Sequence, residues 1–223
     1  MPKSLRAVSA SQQDYLKAIY ALAERGGWAT TTELADHLGV RAPSVTAMVQ
    51  KLAEAGYVSY SPRQGARLLK RGRVAAIQVI RRHRLLETFL VEVLGMDWSE
   101  VHDEAEVLEH HLSERMVQAI DRVLGHPAED PHGRPIPDAD SLFARRELTP
   151  LGDLAVGESG FVRELRIEAP ERLQRWKELG LVPGAAVTVT KRQEMEDVMH
   201  LLIGERPVVT GSEGVEGVYV ETN

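Results

Sequence analysis

The chain has 223 residues, a net charge of −6, 43% hydrophobic and 27% charged residues, proportions that suit a folded, water-soluble protein rather than a disordered or fibrous one. It contains no cysteine, which excludes disulfides, thiolate zinc sites, iron–sulfur ligation and cysteine nucleophiles; any metal must be held by His, Asp and Glu, a donor set that favours harder divalent ions. No apolar run is long enough to span a bilayer and residues 1–10 lack the apolar core of a signal peptide, so a cytoplasmic protein with no membrane partner is expected.

The charge is unevenly spread. Residues 1–84 carry 14 Lys and Arg against 5 Asp and Glu, whereas residues 85–223 carry 13 against 28. A basic front end on an acidic protein points to a polyanion partner at that end only.

In chain order, residues 11–25 have the apolar spacing of an amphipathic helix through Tyr15, Leu16, Ile19, Tyr20 and Leu22, stopped by Gly26 and Gly27. Thr30 and Thr31 can cap a short helix over 33–38. Gly39-Val40-Arg41 turns the chain, and Pro43 suits the first turn of a second helix that runs to Ala55. Helix, short turn with a glycine, helix is the helix-turn-helix pattern. Residues 57–60 and 66–69 read as strands around the turn Ser61-Pro62-Arg63-Gln64-Gly65, a wing. A long helix is expected from Arg71 to Leu94, another from Trp98 to Leu112, and a third from the cap Ser113 to Leu124. Residues 126–137 hold too many prolines for regular structure, and 138–150 read as a linker. After Pro150 the period changes to short strands near 162–167, 186–191, 199–203, 207–209 and 218–221, with one helix over 172–179, a composition suited to a small β-barrel. The fold class is therefore mainly α with small β elements, divided as 1–73, 74–137, a linker over 138–150, and 151–223.

In a helix-turn-helix the second helix enters the major groove and its first residues meet base edges. Here these are Arg41, Ala42, Pro43, Ser44, Thr46 and Ala47. Gln50 and Lys51 lie further along, and Arg63 and Arg67 sit on the wing, where phosphate contacts are expected. A second constellation occupies residues 102–110. At about 100° per residue, His102, Glu106, Glu109 and His110 share one side of a helix, with Val101, Ala105, Leu108 and Leu112 beside them as the core side. Such a face repels itself unless protons or a cation neutralise it. His83 and Glu87, at i,i+4 on the preceding helix, can both reach one ion; the plainer alternative there is a basic helix face with one internal ion pair.

Tyr15-Leu16-x-x-Ile19-Tyr20, Pro43-Ser44-Val45, Arg82-His83-Arg84-Leu85-Leu86-Glu87, His102-Asp103-Glu104-Ala105, Glu109-His110 and Pro131-His132-Gly133-x-Pro135-Ile136-Pro137 together resemble the diphtheria toxin repressor family, metal-dependent transcriptional repressors of iron and manganese homeostasis. The resemblance covers nearly the whole chain. It implies a winged helix-turn-helix, a helical dimerisation domain and a C-terminal SH3-like barrel similar to the ferrous-transport accessory protein, whose clearest signature is Leu179-Gly180-Leu181-x-Pro183-Gly184. It implies a regulatory metal site at Asp14, Glu106, Glu109 and His110, and an ancillary site at His83, Glu87 and His102 completed by Glu168 and Glu171 of the third domain. Iron-sensing members typically carry a methionine where Asp14 stands and a cysteine where Glu106 stands, so the oxygen donors here imply Mn²⁺, with Fe²⁺ as the alternative. Lys17 stands where two-domain manganese regulators place a second glutamate, which argues against their close binuclear centre.

The expected function is thus a homodimeric repressor that binds palindromic double-stranded operator DNA when metal fixes the orientation of its reading helices, with no small-molecule substrate. Two alternatives stand beside it. A carboxylate-bridged dimetal enzyme would need two Glu-x-x-His motifs and two further glutamates in a bundle, yet Glu106 is followed three residues later by Glu109, so no enzyme is expected. A winged-helix sensor of a non-metal ligand would leave the acidic face solvated.

Overall fold

In the computed structural model, residues 8–23, 27–138, 146–167 and 169–222 are described. They fall into two compact units, 8–82 with 137–138, and 83–136 with 146–222.

In the first unit, α1 (Ala10–Ala23) buries Tyr15, Leu16, Ala18 and Ile19. α2 (Thr31–Leu38) opens with a capping box: Glu33 N–H donates to the Thr30 hydroxyl, and the Glu33 carboxylate accepts from Thr30 N–H. Gly39, at φ 63°, ends α2 in the left-handed conformation. α3 (Ala42–Glu54) starts on Pro43 and buries Val45, Val49 and Leu52 against α1 and α2. The wing is β1 (Val58–Ser61) paired antiparallel with β2 (Gly65–Leu68). Gly65 has φ +98°, and a Cβ there would sit 2.0 Å from the Ala29 carbonyl oxygen, so the close approach that lets Ala66 bridge to Ala29 requires glycine.

In the second unit, the C-terminal half of α4 (Lys70–Glu92), α5 (Val101–Leu108) and α6 (Glu114–Val123) bury Leu85, Leu86, Leu90, Val101, Ala105, Val117 and Ile120. α5 is shorter than expected at both ends. The Asp97 carboxylate accepts from Ser99 N–H at 3.0 Å and from the Ser99 hydroxyl at 2.7 Å, a local turn that competes with the helix. After Leu108 the chain tightens, with His111 N–H donating to Leu108 C=O. The same unit carries a six-stranded antiparallel sheet: β3 (Thr149–Pro150), β4 (Ser159–Leu165), β5 (Ala186–Gln193), β6 (Val198–Ile203), β7 (Arg206–Thr210) and β8 (Val218–Thr222), in the order β3-β8-β4-β5-β6-β7. β3 lies inside the stretch read as linker. Its register fixes Thr149 opposite Val220. α7 (Pro170–Leu179) packs Leu173, Trp176 and Leu179 into the sheet's core. Among the described residues no helix is long and apolar enough to cross a membrane.

The sheet is docked on the helices by few, specific contacts. Trp98 packs against the sheet core, Lys177 donates to the Asp97 carboxylate, and Leu165 N–H donates to the His132 carbonyl at 2.9 Å. Gly133, at φ +80°, lies so close that a Cβ would meet the Arg163 carbonyl oxygen at 1.8 Å. The hydrogen bond from Lys177, with those from the Ser99 N–H and hydroxyl, holds the Asp97 carboxyl at about 2, below its usual 3.8. A depressed carboxyl stabilises above its unfolded pKa and loses that contribution as pH falls through the folded one. Docking is therefore expected to weaken between about pH 4 and 2. Because the pair is partly exposed, its contribution is about 1 kcal/mol or less and shrinks in high salt. Acid titration of wild type against Lys177→Gln, followed by amide exchange at Leu165, checks this: the two curves should differ at pH 6 and converge near pH 2.

Candidate metal centre and nucleic-acid interface

On α3, the buried stripe Val45, Val49 and Leu52 leaves the opposite side outward. Arg41, Ala42, Pro43, Ser44, Ala47, Gln50 and Lys51 are exposed there, and Thr46 is half-buried with its hydroxyl donating to the Ala42 carbonyl at 3.2 Å. On the wing Arg63 and Arg67 are exposed, and the Arg67 guanidinium stacks over Trp28 at 4.9 Å. Two further arginines are held over aromatic rings, Arg71 over Tyr57 at 4.2 Å and Arg73 over Tyr20 at 5.6 Å. These stacks restrict long cationic side chains that would otherwise be mobile.

The second unit gathers three imidazoles and three carboxylates. α4 presents His83 and Glu87 on one face, α5 presents His102 and Glu106, and the tightened turn after α5 presents Glu109 and His110. Glu87 and Glu109 are wholly buried and His83 is 4% exposed. The His83 ring lies at the centre. Its Nδ1 is 2.7 Å from Glu109 Oε2 and 3.9 Å from Glu106 Oε1. Its Nε2 is 3.0 Å from Glu87 Oε1 and 3.1 Å from His102 Nδ1. His102 Nε2 in turn lies 3.7 Å from Glu106 Oε1. The family resemblance divides the residues of 102–110 between two ligand sets; in the structure one imidazole, His83, touches members of both.

Burial alone would push the Glu87 carboxyl up, but the charge of His83 and hydrogen bonds from His102, His132 and His83 hold it well below the usual carboxylate range. For His132, burial works against the charged ring, while the Glu87 carboxylate, and then Asp130, more than offset it and raise the pKa.

The donor set fits a divalent cation. It is all oxygen and imidazole nitrogen, and two of its carboxylates, Glu87 and Glu109, are wholly buried, where a charge needs a partner. His83, His102 and Glu106 each bring a donor atom within 4.8 Å of the others, as do Glu106, Glu109 and His110. Asp14 is half-buried in the middle of α1, in the first unit, with Lys17 half-buried one residue short of a turn later. Glu171 is exposed in the first turn of α7 and belongs to none of these groups; Glu168 lies outside the described residues.

Matches to known proteins extend over nearly the whole chain. Residues 7–66 match the iron-dependent repressor N-terminal DNA-binding domain, 70–138 the iron-dependent repressor metal-binding and dimerisation domain, and 149–222 the FeoA domain. The iron-dependent repressor IdeR of Mycobacterium leprae is 32% identical over 219 residues, 93% of this chain and 95% of that protein. The chain belongs to the iron-dependent repressor family. The manganese branch is also near: the regulator MntR of Bacillus subtilis is 36% identical over 120 residues, 54% of this chain and 84% of its own. Among solved structures, a manganese-dependent transcriptional repressor in complex with manganese superposes with a TM-score of 0.87 at 37% identity, covering 95% of this chain and all of that one. The family consists of metal-dependent transcriptional repressors, not enzymes.

Within this repressor, sequence reasoning left the loop 130–135 without a role. The structure places Asp130, His132 and Arg134 beside Glu87, with His132 wholly buried. The signal was present in Pro131-His132-Gly133: a histidine in a proline-rich loop, next to a glycine.

Proposed function

We propose that this repressor responds to Mn²⁺, with Fe²⁺ as the second candidate effector. The observation that carries the proposal is the sulfur-free cluster of three imidazoles and three carboxylates around His83. In this reading Glu106, Glu109 and His110 hold the regulatory ion together with Asp14. His83, Glu87 and His102 hold the ancillary ion, with Glu168 and Glu171 as third-domain donors, and the six strands curl into an SH3-like barrel helped by the bulges at Val162/Glu164 and Val189/Lys191. The bound cation supplies positive charge where carboxylates otherwise repel. The chain's own groups do the rest: Glu106 and Glu109 stand close enough to share one ion, and His83 fixes Glu109 through Nδ1. A state that binds metal better gains population, and reciprocally binds DNA better if that state is the DNA-competent one.

α3 supplies the reading surface through Arg41, Ser44, Gln50 and Lys51, with Arg63 and Arg67 on phosphates. A second copy of the chain covers the exposed apolar side chains of the helical region, among them Val107, Met116 and Val123, and makes a two-fold dimer that reads a palindrome. The test is a mobility-shift titration of candidate operators with chelator, Mn²⁺ and Fe²⁺ under anaerobic conditions. Mn²⁺ is expected to tighten operator binding by roughly 5–150-fold, the usual size of such coupling. Equal affinity with chelator and with both metals would refute the proposal.

A further inference from the structure

Glu87 divides its two oxygens between two environments. Oε1 faces the imidazoles, 3.0 Å from His83 Nε2 and 3.4 Å from His102 Nδ1. Oε2 faces the opposite way, 3.7 Å from His132 Nδ1 and 3.6 Å from an Arg134 guanidinium nitrogen. His132 itself has no freedom to adjust. Its Nε2 lies 2.9 Å from the Trp98 carbonyl oxygen, an acceptor only, so Nε2 donates there and the second ring nitrogen, Nδ1, is turned toward Glu87. The ring also meets Trp98 edge to face, with centroids 5.6 Å apart at 62°. Its backbone is tied as well: His132 N–H donates to Asp130 Oδ1 at 2.9 Å, and its carbonyl accepts from Leu165 N–H of β4.

Glu87, Asp130 and His132 do not by themselves make an ion site. Asp130 Oδ1 accepts from the His132 and Arg134 N–H groups, and Oδ2 lies 3.2 Å from Arg134 Nε and 3.5 Å from Arg84 Nε. Two arginines already offset the two carboxylates there. What the arrangement does is orient. Resting on the ancillary-site reading above, we infer that His132 is a positioning residue that holds Glu87 so that only Oε1 faces the ancillary ion, and that it anchors this orientation on the Trp98 carbonyl and the edge of β4. Outer partners of this kind typically change metal affinity about 10–100-fold when removed.

The test uses the full chain and Mn²⁺ alone, with binding isotherms for wild type, Glu87→Gln, His132→Gln and His132→Asn, each checked for wild-type circular dichroism and melting. The side-chain nitrogen of glutamine can replace Nε2 at the Trp98 carbonyl but leaves nothing at Nδ1. Asparagine replaces Nδ1 and gives up the Trp98 contact. Glu87→Gln is expected to remove one ion from the isotherm. His132→Gln is expected to weaken that same ion at least about tenfold, with Leu165 amide exchange unchanged in the absence of metal, and His132→Asn to retain affinity within about threefold. Wild-type affinity in His132→Gln overturns the inference, as does equal loss in both variants, which would mark a packing role. If Glu87→Gln leaves the isotherm unaltered, the ancillary site itself is refuted, and the role of His132 with it.

Discussion

Glu106→Ala is expected to abolish the Mn²⁺ response of operator binding while leaving the metal-free affinity for DNA near wild type. Glu106 is the one carboxylate of the cluster with a partly exposed side chain, 35% accessible, 3.9 and 3.7 Å from His83 and His102. Truncating a partly exposed side chain costs less than truncating a buried one, and the substitution should be mild for folding. Its effect on the cation is not mild, because the regulatory donor set loses a charged oxygen. The gain in DNA affinity on adding metal, on the order of 5–150-fold for a coupling of 1–3 kcal/mol, should fall to about one. Fluorescence anisotropy with a labelled operator, with and without Mn²⁺, reads this directly. A variant that still responds tenfold would remove Glu106 from the regulatory site. Glu106→Cys is the informative companion, since a thiolate favours softer ions; it should respond to Fe²⁺ at lower concentration than to Mn²⁺.

Trp176→Ala carries the largest expected effect on stability. Trp176 is fully buried in the sheet core among Leu165, Leu173 and Val218, and its ring N–H donates to the Gly214 carbonyl at 2.8 Å. Truncation leaves both a cavity and an unpaired carbonyl, at a cost of about 3–5 kcal/mol. Much of the stability of a sheet of this size would be lost. Calorimetry should show a separate, lower transition for the C-terminal sheet, with the melting of residues 8–82 unchanged. A single unshifted transition would mean that the sheet draws its stability from elsewhere.

Much of the architecture was legible because each signal had a local physical cause. Thr30 and Glu33 sit three apart and close a capping box; Pro43 opens α3; Gly65 permits the wing turn. The pairing of His83 with Glu87, and of His102 with Glu106, was legible from spacing, since each pair stands one turn apart. The failures share a different cause. The ends of α5 were misplaced because Asp97 and Ser99 form a turn of their own, which helix periodicity does not register. β3 was missed because two residues beside a proline carry no strand period, and only β8 makes them one. His132 went unassigned because its partners, Glu87, Trp98 and Leu165, lie 45, 34 and 33 positions away along the chain. Its role is a property of contact, not of pattern.

The six groups of the cluster, His83 included, are imidazoles and carboxylates. None can be taken up the ladder from sulfenic to sulfonic acid that disables a thiolate ligand. Glu106 offers a carboxylate and no thiol for peroxide to oxidise, where iron-sensing relatives typically keep sulfur. If these groups hold the effector, thiol oxidation is not a route by which the sensor loses it.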